Sequence, residues 1–416
     1  MSKQIKVVVG ANFGDEGKGL MTDYFCHELS KDGSVLNIRH NGGAQAGHTV
    51  VTPDGKRHVF SHFGAGSFVP HVATYLSRDF ILNPILFCRE LDHLKSEFGI
   101  EPKVYIHKDC RITTPYDMLI NQVVERFRGS DRHGSCGVGI NETVERYNNH
   151  VAGIARNVNM VASKILSINL CDALTEIRTK YVPFRLSELG VTEISDNDRM
   201  LFNSINVVSN WISQLMRMLD YCILTDDVVL QRYDHLVFEG AQGLLLDQDN
   251  DDLAPHLTTS KTGSVNPKNM LLAAGLEECD IEVCYVTRSY FTRHGAGFFR
   301  TECNKSDILP DDVEDKTNHT NEFQGALRYG YFDTRWFKRA VSSDMEYRRN
   351  LFPYLNCSIA VTHCDETDGY IPMLWGEKYA CYSLSDYGYL SCGETRDDIT
   401  QYSKNTQETC EKINRF

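Results

Sequence analysis

The chain has 416 residues, 42% of them apolar and 24% charged, with a formal charge of −13 at pH 7. Such proportions are ordinary for a globular protein, and the acidic balance excludes a broad nucleic-acid-binding surface while leaving room for a local basic pocket around a mononucleotide. No apolar run reaches membrane-spanning length and the opening MSKQIKVVVG resembles no signal peptide, so no membrane partner and a cytoplasmic location, of a cell or of an infected host, are expected.

In chain order, KVVVG (6–10) is a β-branched run that ends in the glycine loop GANFGDEGKG. A helix-length segment follows, then a second strand, SVLNIR (34–39), and a second glycine loop over residues 41–49. VASKILSINLCDAL (161–174) and SINVVSNWISQLMRMLDYCIL (204–224) have helical periodicity. HLVFEG (235–240), IEVCYVT (281–287) and CSIAVTH (357–363) are further short apolar strands, each closed by a turn. The acidic run DQDNDD (247–252) reads as a solvated turn, the polar stretch 304–323 as a surface excursion, and the last fifteen or so residues as a loosely held tail. The alternation predicts an α/β fold: a mainly parallel central sheet flanked by helices, with insertions. Chemistry-bearing motifs run from residue 10 to residue 396, so residues 1–416 read as one domain.

Fourteen cysteines are scattered without any CxxC pair. Cys364, Cys381 and Cys392 lack zinc-ligand spacing and read as reduced, partly buried thiols.

Two loops carry the chemistry. In the first, Gly10, Gly14, Gly17 and Gly19 let backbone N–H groups approach an anion, and Lys18 supplies a point charge for a phosphate. The loop has one residue more than the usual GxxxxGK[ST] and lacks the Ser or Thr after the lysine. A magnesium ligand must therefore come from elsewhere, and Asp15 is the obvious candidate. The second loop holds Gly42, Gly43, Gly47 and His48. A histidine beside a bound phosphate can donate a proton or a hydrogen bond as charge moves.

GDEGKG together with AGHT resembles adenylosuccinate synthetase, the ligase family that joins aspartate to carbon 6 of a purine nucleotide at the expense of a nucleoside triphosphate. FEGAQGLLLD (238–247) with PHLTTS (255–260) is similar to the family's FEGAQG…PYVTSS, and TRHGAGFFRTE (292–302) to its TRVGAGPFPTE. THCDETDG (362–369) and SCGETR (391–396) resemble its base-reading loops. The resemblance implies the P-loop-NTPase-like fold of that family, a magnesium cofactor and a homodimer. It implies that Asp15 removes the proton from ring nitrogen 1, that His48 is the acid in transfer of the γ-phosphoryl group to the purine oxygen, and that Asp15 and the Gly47 carbonyl hold magnesium. It assigns Gly14, Glu16, Gly17, Lys18, Gly19, His363, Asp365, Ser391 and Gly393 to the triphosphate. Asn12, Gln45, Ser135, Cys136, Arg146, Gln242 and Thr258 fall to the mononucleotide.

The chain departs from the family pattern in three loops. GSCGVG (134–139) stands where the family has GTTGxG, leaving Ser135 and the weak donor Cys136. Arg146 is the candidate for the phosphate-binding arginine that the family takes from the partner subunit. QGALRYGY (324–331) replaces the arginine-rich loop that grips aspartate, so Arg328 needs help, with Arg293 and Arg300 as candidates. His363 replaces the lysine of TKxD, while Asp365 still suits a guanine edge, which favours GTP over ATP or dATP. These departures resemble the compact viral relatives that condense dGMP with aspartate toward 2-aminoadenine DNA. The expected substrates are thus L-aspartate, a nucleoside triphosphate and a purine mononucleotide, dGMP before IMP; a nucleotide-binding regulator without chemistry is the third reading, opposed by the retained Asp15 and His48.

Overall fold

The computed structural model describes residues 3–129, 136–148, 160–315 and 326–403. Strand β1 (Gln4–Gly10) lies inside a ten-stranded sheet, between the parallel strands His235–Glu239 and Asp280–Arg288. Outward from His235–Glu239 come β2 (Val35–Arg39), Ala73–Leu76, Val104–His107 and Ile223–Thr225; outward from Asp280–Arg288 come Leu355–Thr362, Tyr387–Ser391 and Ile399–Ser403. Every pairing in the sheet is parallel except the last, Tyr387–Ser391 with Ile399–Ser403.

The β-branched run explains why β1 takes the centre. Val7 and Val9 face one apolar core, while Val8 faces another, packed against Met21, Phe25 and Leu29 of α1 (Lys18–Ser30). Both faces are covered, as a buried parallel strand requires. A third core lies beyond β2, where helices Pro84–Phe98, Pro115–Arg128 and Ile205–Tyr221 pack around Leu91, Ile120 and Trp211. Thr114 and Asp117 form a reciprocal capping box at the start of the second of these.

Each sequence-predicted strand is present, within two residues at either end. The helical stretches need revision. Residues 161–174 form a 3₁₀ turn, Ala162–Ser167, and a separate helix, Leu170–Glu176, because the Asn169 side chain accepts from Cys171 N and Asp172 N and starts a new helix. The stretch 204–224 ends as helix at Tyr221, and Ile223–Thr225 becomes the edge strand. Among the described residues, no helix is long and apolar enough to cross a membrane. The tail beyond residue 403 and residues 316–323 of the polar stretch lie outside the described residues.

Candidate active site

The C-terminal ends of β1, β2 and the strands ending at Glu239, Arg288 and Thr362 share one edge of the sheet. Ligands of open α/β sheets bind at such an edge, and a cleft of about 530 Å³ opens there. It is lined by Asp15 through Gly19, Gln45, Gly47, His48, Cys136, Gln242, Arg288, His294, His363, Asp365 and Gly393, among others.

The first loop is braced from within. One oxygen of the buried Glu16 carboxylate accepts from Asn12 N at 3.0 Å and Gly14 N at 2.7 Å, and the other lies 2.8 Å from Lys18 Nζ. Glu16 thus occupies donors that would otherwise serve a phosphate. Gly17 takes φ 90° and caps α1 without a side chain, leaving that helix end open. Gly19 is required for contact: a Cβ there would lie 2.6 Å from Thr49 O, in the strand that carries His48.

Asp15 stands at φ 62°. Its backbone carbonyl accepts from Arg288 Nε at 2.6 Å, which turns the carboxylate toward the cleft, where His294 Nε2 lies 3.5 Å from it. Gln242 (φ 58°) and His363 (φ 57°) also hold left-handed backbone and line the same cleft. Such strain gathers where surrounding structure holds a side chain in a required place.

His48 backs onto the glycine loop at Gly19, where a Cβ would lie 3.2 Å from the His48 Cβ. Its Nδ1 bonds to Glu239, whose other oxygen accepts from Ala65 N at 3.0 Å. Burial alone would raise Glu239, but the Arg39 charge and His48 hold its carboxyl below the usual range. The proton on Nδ1 is thereby fixed, and buried Nε2 has no partner among the described residues. Burial, then the Arg39 charge, lowers His48 to about 4, so the free ring is neutral near pH 7.

The same two causes lower the buried His40 to about 3. Unfolded histidines protonate near pH ~6.5, so the unfolded chain binds more protons than the folded one from there down to about 4. The stability that these rings contribute is full above pH ~6.5 and is lost as pH falls. Asp23 works in the opposite sense: burial pushes it up to about 6, and the folded state gains below that value. Lowered histidines outnumber raised carboxyls among the described residues, so the Tm of the ligand-free chain is expected to drop by at least ~2 °C between about pH 7 and about pH 5. A flat or rising Tm in scanning fluorimetry would contradict this.

Two residues that sequence reasoning missed organise the site. One is Glu239, which orients His48. The other is Arg288, buried, whose Nη1 donates to Tyr290 OH at 2.8 Å and Nη2 to Asp315 at 3.1 Å; Tyr290 OH in turn bonds to Glu366. Charged residues ending apolar strands were the available signal for both. Val313, Glu314 and Asp315 line the cleft, so the polar stretch after residue 304 returns to the site rather than staying a surface excursion. Asp247 likewise is no mere solvated turn: it accepts from Thr262 N at 2.7 Å.

Across the cleft floor, Thr362 Oγ1 donates to Glu16 O at 2.9 Å, tying the loop at 362–369 to the glycine loop. The His363 ring is half-buried; loss of solvation and then the Arg288 charge lower it well below its ordinary value, and the ring is neutral. Asp365 is raised, chiefly by burial. Ser391 donates to Gly393 O at 2.8 Å and is buried behind the lining.

Several sequence-predicted residues lie away from the lining. Asn12 is buried, with Nδ2 on Thr287 Oγ1 at 2.7 Å, and Thr258 N donates to Leu246 O at 2.9 Å. Arg146 is 1% exposed and clamped to both oxygens of Asp117, at 2.8 and 2.9 Å. That pairing holds its guanidinium within its own chain. Ser135 lies outside the described residues. All three arginines expected at aspartate have internal partners. Arg300 pairs with Asp333. Arg293 is buried over the Phe13 ring at 4.6 Å and donates to Phe298 O. Arg328 pairs with Glu302 and donates to the carbonyls of Gly295 and Gly297, beside His294.

A family model described as adenylosuccinate synthetase matches residues 7–352. The adenylosuccinate synthetase of Tolumonas auensis is 29% identical over 346 residues, covering 81% of this chain and 74% of that protein. That of Mesoplasma florum is 27% identical over 411 residues, covering 95% and 88%. The fold is similar to that of fully ligated adenylosuccinate synthetase from Plasmodium falciparum (TM-score 0.67, 17% identity, covering 96% of this chain and 99% of that one). It is also similar to that of the succinoaminodeoxyadenylate synthetase of cyanophage S-2L, bound to dGMP and dATP (TM-score 0.63, 14% identity, covering 100% and 99%). With Asp15, Lys18 and His48 gathered at one cleft and the family model spanning most of its length, the chain belongs to the adenylosuccinate synthetase family and is a ligase that joins aspartate to a purine nucleotide.

Proposed function

We propose that the chain condenses L-aspartate with carbon 6 of dGMP, giving succino-2-amino-2′-deoxyadenylate, with GTP as phosphoryl donor. The observation that carries the purine assignment is a pair of amides. Gln45 and Gln242 line the cleft, and each has a buried Oε1 with no donor among the described residues. A buried acceptor left unpaired costs about 1–3 kcal/mol, and a ligand that supplies the donor is selected over one that cannot. The N1–H that hypoxanthine and guanine share is committed to Asp15, whereas the 2-amino group of guanine adds donors that IMP lacks.

In this reading the Asp15 carboxylate takes the proton from ring nitrogen 1. Negative charge then builds on the 6-oxygen, which attacks the γ-phosphorus while the His48 Nε2 edge faces the group in transfer. Lys18 leaves Glu16 for the incoming phosphates, and the two freed loop N–H groups become their donors. Phosphorylation makes the 6-oxygen a leaving group, and the amine of aspartate displaces it. Asp365 accepts from the guanine edge of the triphosphate. The Asp15 carboxylate and Gly47 carbonyl offer the hard oxygen donors that suit magnesium alongside substrate phosphates, and the ion would supply charge neutralisation at those phosphates. The subunits are proposed to pair as a homodimer.

The carboxylates of aspartate are assigned to Arg328, which neighbours the cleft-lining Tyr329 and would exchange Glu302 for the substrate. Arg328→Ala is expected to raise the KM for aspartate at least ~10-fold and leave the mononucleotide KM within about twofold, because a bidentate arginine contributes more than a neutral hydrogen bond. An unchanged aspartate KM in steady-state assays would move that subsite elsewhere.

The substrate assignment is tested by supplying enzyme, magnesium, aspartate and GTP with either dGMP or IMP. A kcat/KM for dGMP at least ~10-fold above that for IMP is expected. Preference for IMP would make the chain an IMP-using synthetase, and triphosphate binding without turnover of either would make it a regulator.

A further inference from the structure

Arg288 joins two walls of the cleft. Its Nε donates to Asp15 O at 2.6 Å, in the glycine loop. Its Nη1 donates to Tyr290 OH at 2.8 Å, and that hydroxyl bonds in turn to Glu366, next to Asp365 of the proposed base-reading wall. The third contact is of another kind. Nη2 meets the Asp315 carboxylate at 3.1 Å, across 27 residues of chain. Asp315 is no part of the sheet edge. Leu309 is the last fully buried residue before it, and residues 310–315 form neither helix nor strand. Within them, Val313 N donates to Pro310 O at 3.3 Å and Val313 O accepts from Lys305 Nζ. The Asp315 side chain is 15% exposed, against 6% for its arginine partner. A segment with so few buried contacts can shift without disturbing the core.

The charge balance of the cleft says what belongs on Nη2. Among the described residues, Lys18, Arg57 and Arg288 are the lysines and arginines of the lining, and carboxylates outnumber them. A triphosphate adds several negative charges to that surplus, so cations already paired inside the cleft have to be recruited. Lys18 is held by Glu16, and Arg288 by Asp315. Phosphates of a triphosphate that runs from the glycine loop to the base-reading wall pass the guanidinium that links the two, and its planar fork matches phosphate geometry.

We propose that Arg288 binds a phosphate of the triphosphate and that Asp315 is its internal competitor, holding Nη2 until the triphosphate displaces it. The proposal rests on the reading of the cleft as a triphosphate site. Displacement at Nη2 leaves Nε on Asp15 O, so the brace on the proposed base persists with substrate bound. A competitor lowers apparent affinity by the fraction of chains in which the receptor is open. Removing the carboxylate therefore strengthens binding, the opposite of what loss of a structural contact does.

The full-length chain, Asp315→Asn and Asp315→Glu are titrated with GTP and magnesium by calorimetry, and the KM for aspartate is measured alongside. Asp315→Asn keeps the side-chain shape without the charge and is expected to bind GTP at least ~3-fold more tightly. Asp315→Glu restores the charge and is expected to stay within about twofold of the unaltered chain. Equal or weaker GTP binding by Asp315→Asn overturns the competitor, as does the same gain in Asp315→Glu. A fall in the aspartate KM without a gain for GTP gives Arg288 to aspartate and overturns the phosphate assignment. Hydrogen exchange on the unaltered chain needs no variant: amides of residues 311–315 are expected to exchange at least ~2-fold faster with GTP bound. Unchanged or slower exchange there overturns the displacement. GTP binding by neither the unaltered chain nor Asp315→Asn overturns the triphosphate reading of the cleft and the competitor with it. Binding by both at one affinity removes the competitor and leaves that reading standing.

Discussion

Asp15→Asn is expected to reduce turnover at least ~1,000-fold while leaving the fold and mononucleotide binding intact. A positioned general base contributes about 10²–10⁴-fold, and an amide cannot take the proton from ring nitrogen 1. The substitution is informative because of how Asp15 is held. Its brace is the bond from Arg288 to the backbone carbonyl, which asparagine retains. Asparagine also tolerates the left-handed backbone at φ 62°, where alanine would add strain unrelated to chemistry. The check is steady-state release of phosphate in the presence of aspartate, paired with a thermal melt and mononucleotide calorimetry. Near-normal turnover would remove Asp15 from the reaction, whereas a collapsed melt would reveal a structural role instead.

His48→Asn is expected to cost at least ~100-fold in kcat, with a smaller change in KM. The geometry gives the reason. Glu239 fixes the Nδ1 proton, leaving Nε2 as the ring's functional edge. The free ring is neutral, since burial and Arg39 lower it to about 4. A bound triphosphate brings negative charge close to Nε2 and favours the protonated ring, so the acid is assembled with the substrate rather than standing ready. Glu239→Gln keeps an acceptor for Nδ1 but removes the charge that offsets burial of the imidazolium. It is therefore expected to lose about 10-fold in kcat, intermediate between wild type and His48→Asn. Kinetics of the two variants at saturating substrate give the test, and an unchanged kcat in His48→Asn would contradict the role.

The sheet was legible because its strands carry their own signal. Val7 to Val9 face two cores, and nothing but a buried parallel strand satisfies both. The glycine loops were legible because close approach demands residues without side chains, as at Gly19. Long-range ion pairs were not. Arg300 with Asp333, Arg328 with Glu302 and Arg146 with Asp117 join residues 26 to 33 apart in sequence. Only the folded chain shows that these guanidinium groups already have partners. The internal role of Glu16 was hidden for a related reason. Only the folded chain shows its carboxylate accepting from two loop N–H groups and from Lys18.

The central claim is that Asp15 and His48 act on opposite sides of one phosphoryl transfer to the purine's 6-oxygen. The most direct test uses dGMP, and IMP in parallel, carrying heavy oxygen at carbon 6, with aspartate, magnesium and GTP. The phosphate released with the succino product is then analysed by mass. The account predicts that the heavy oxygen appears in that phosphate, one atom per product formed. Succino product accompanied by unlabelled phosphate would contradict it, because the 6-oxygen would then have left without ever being phosphorylated.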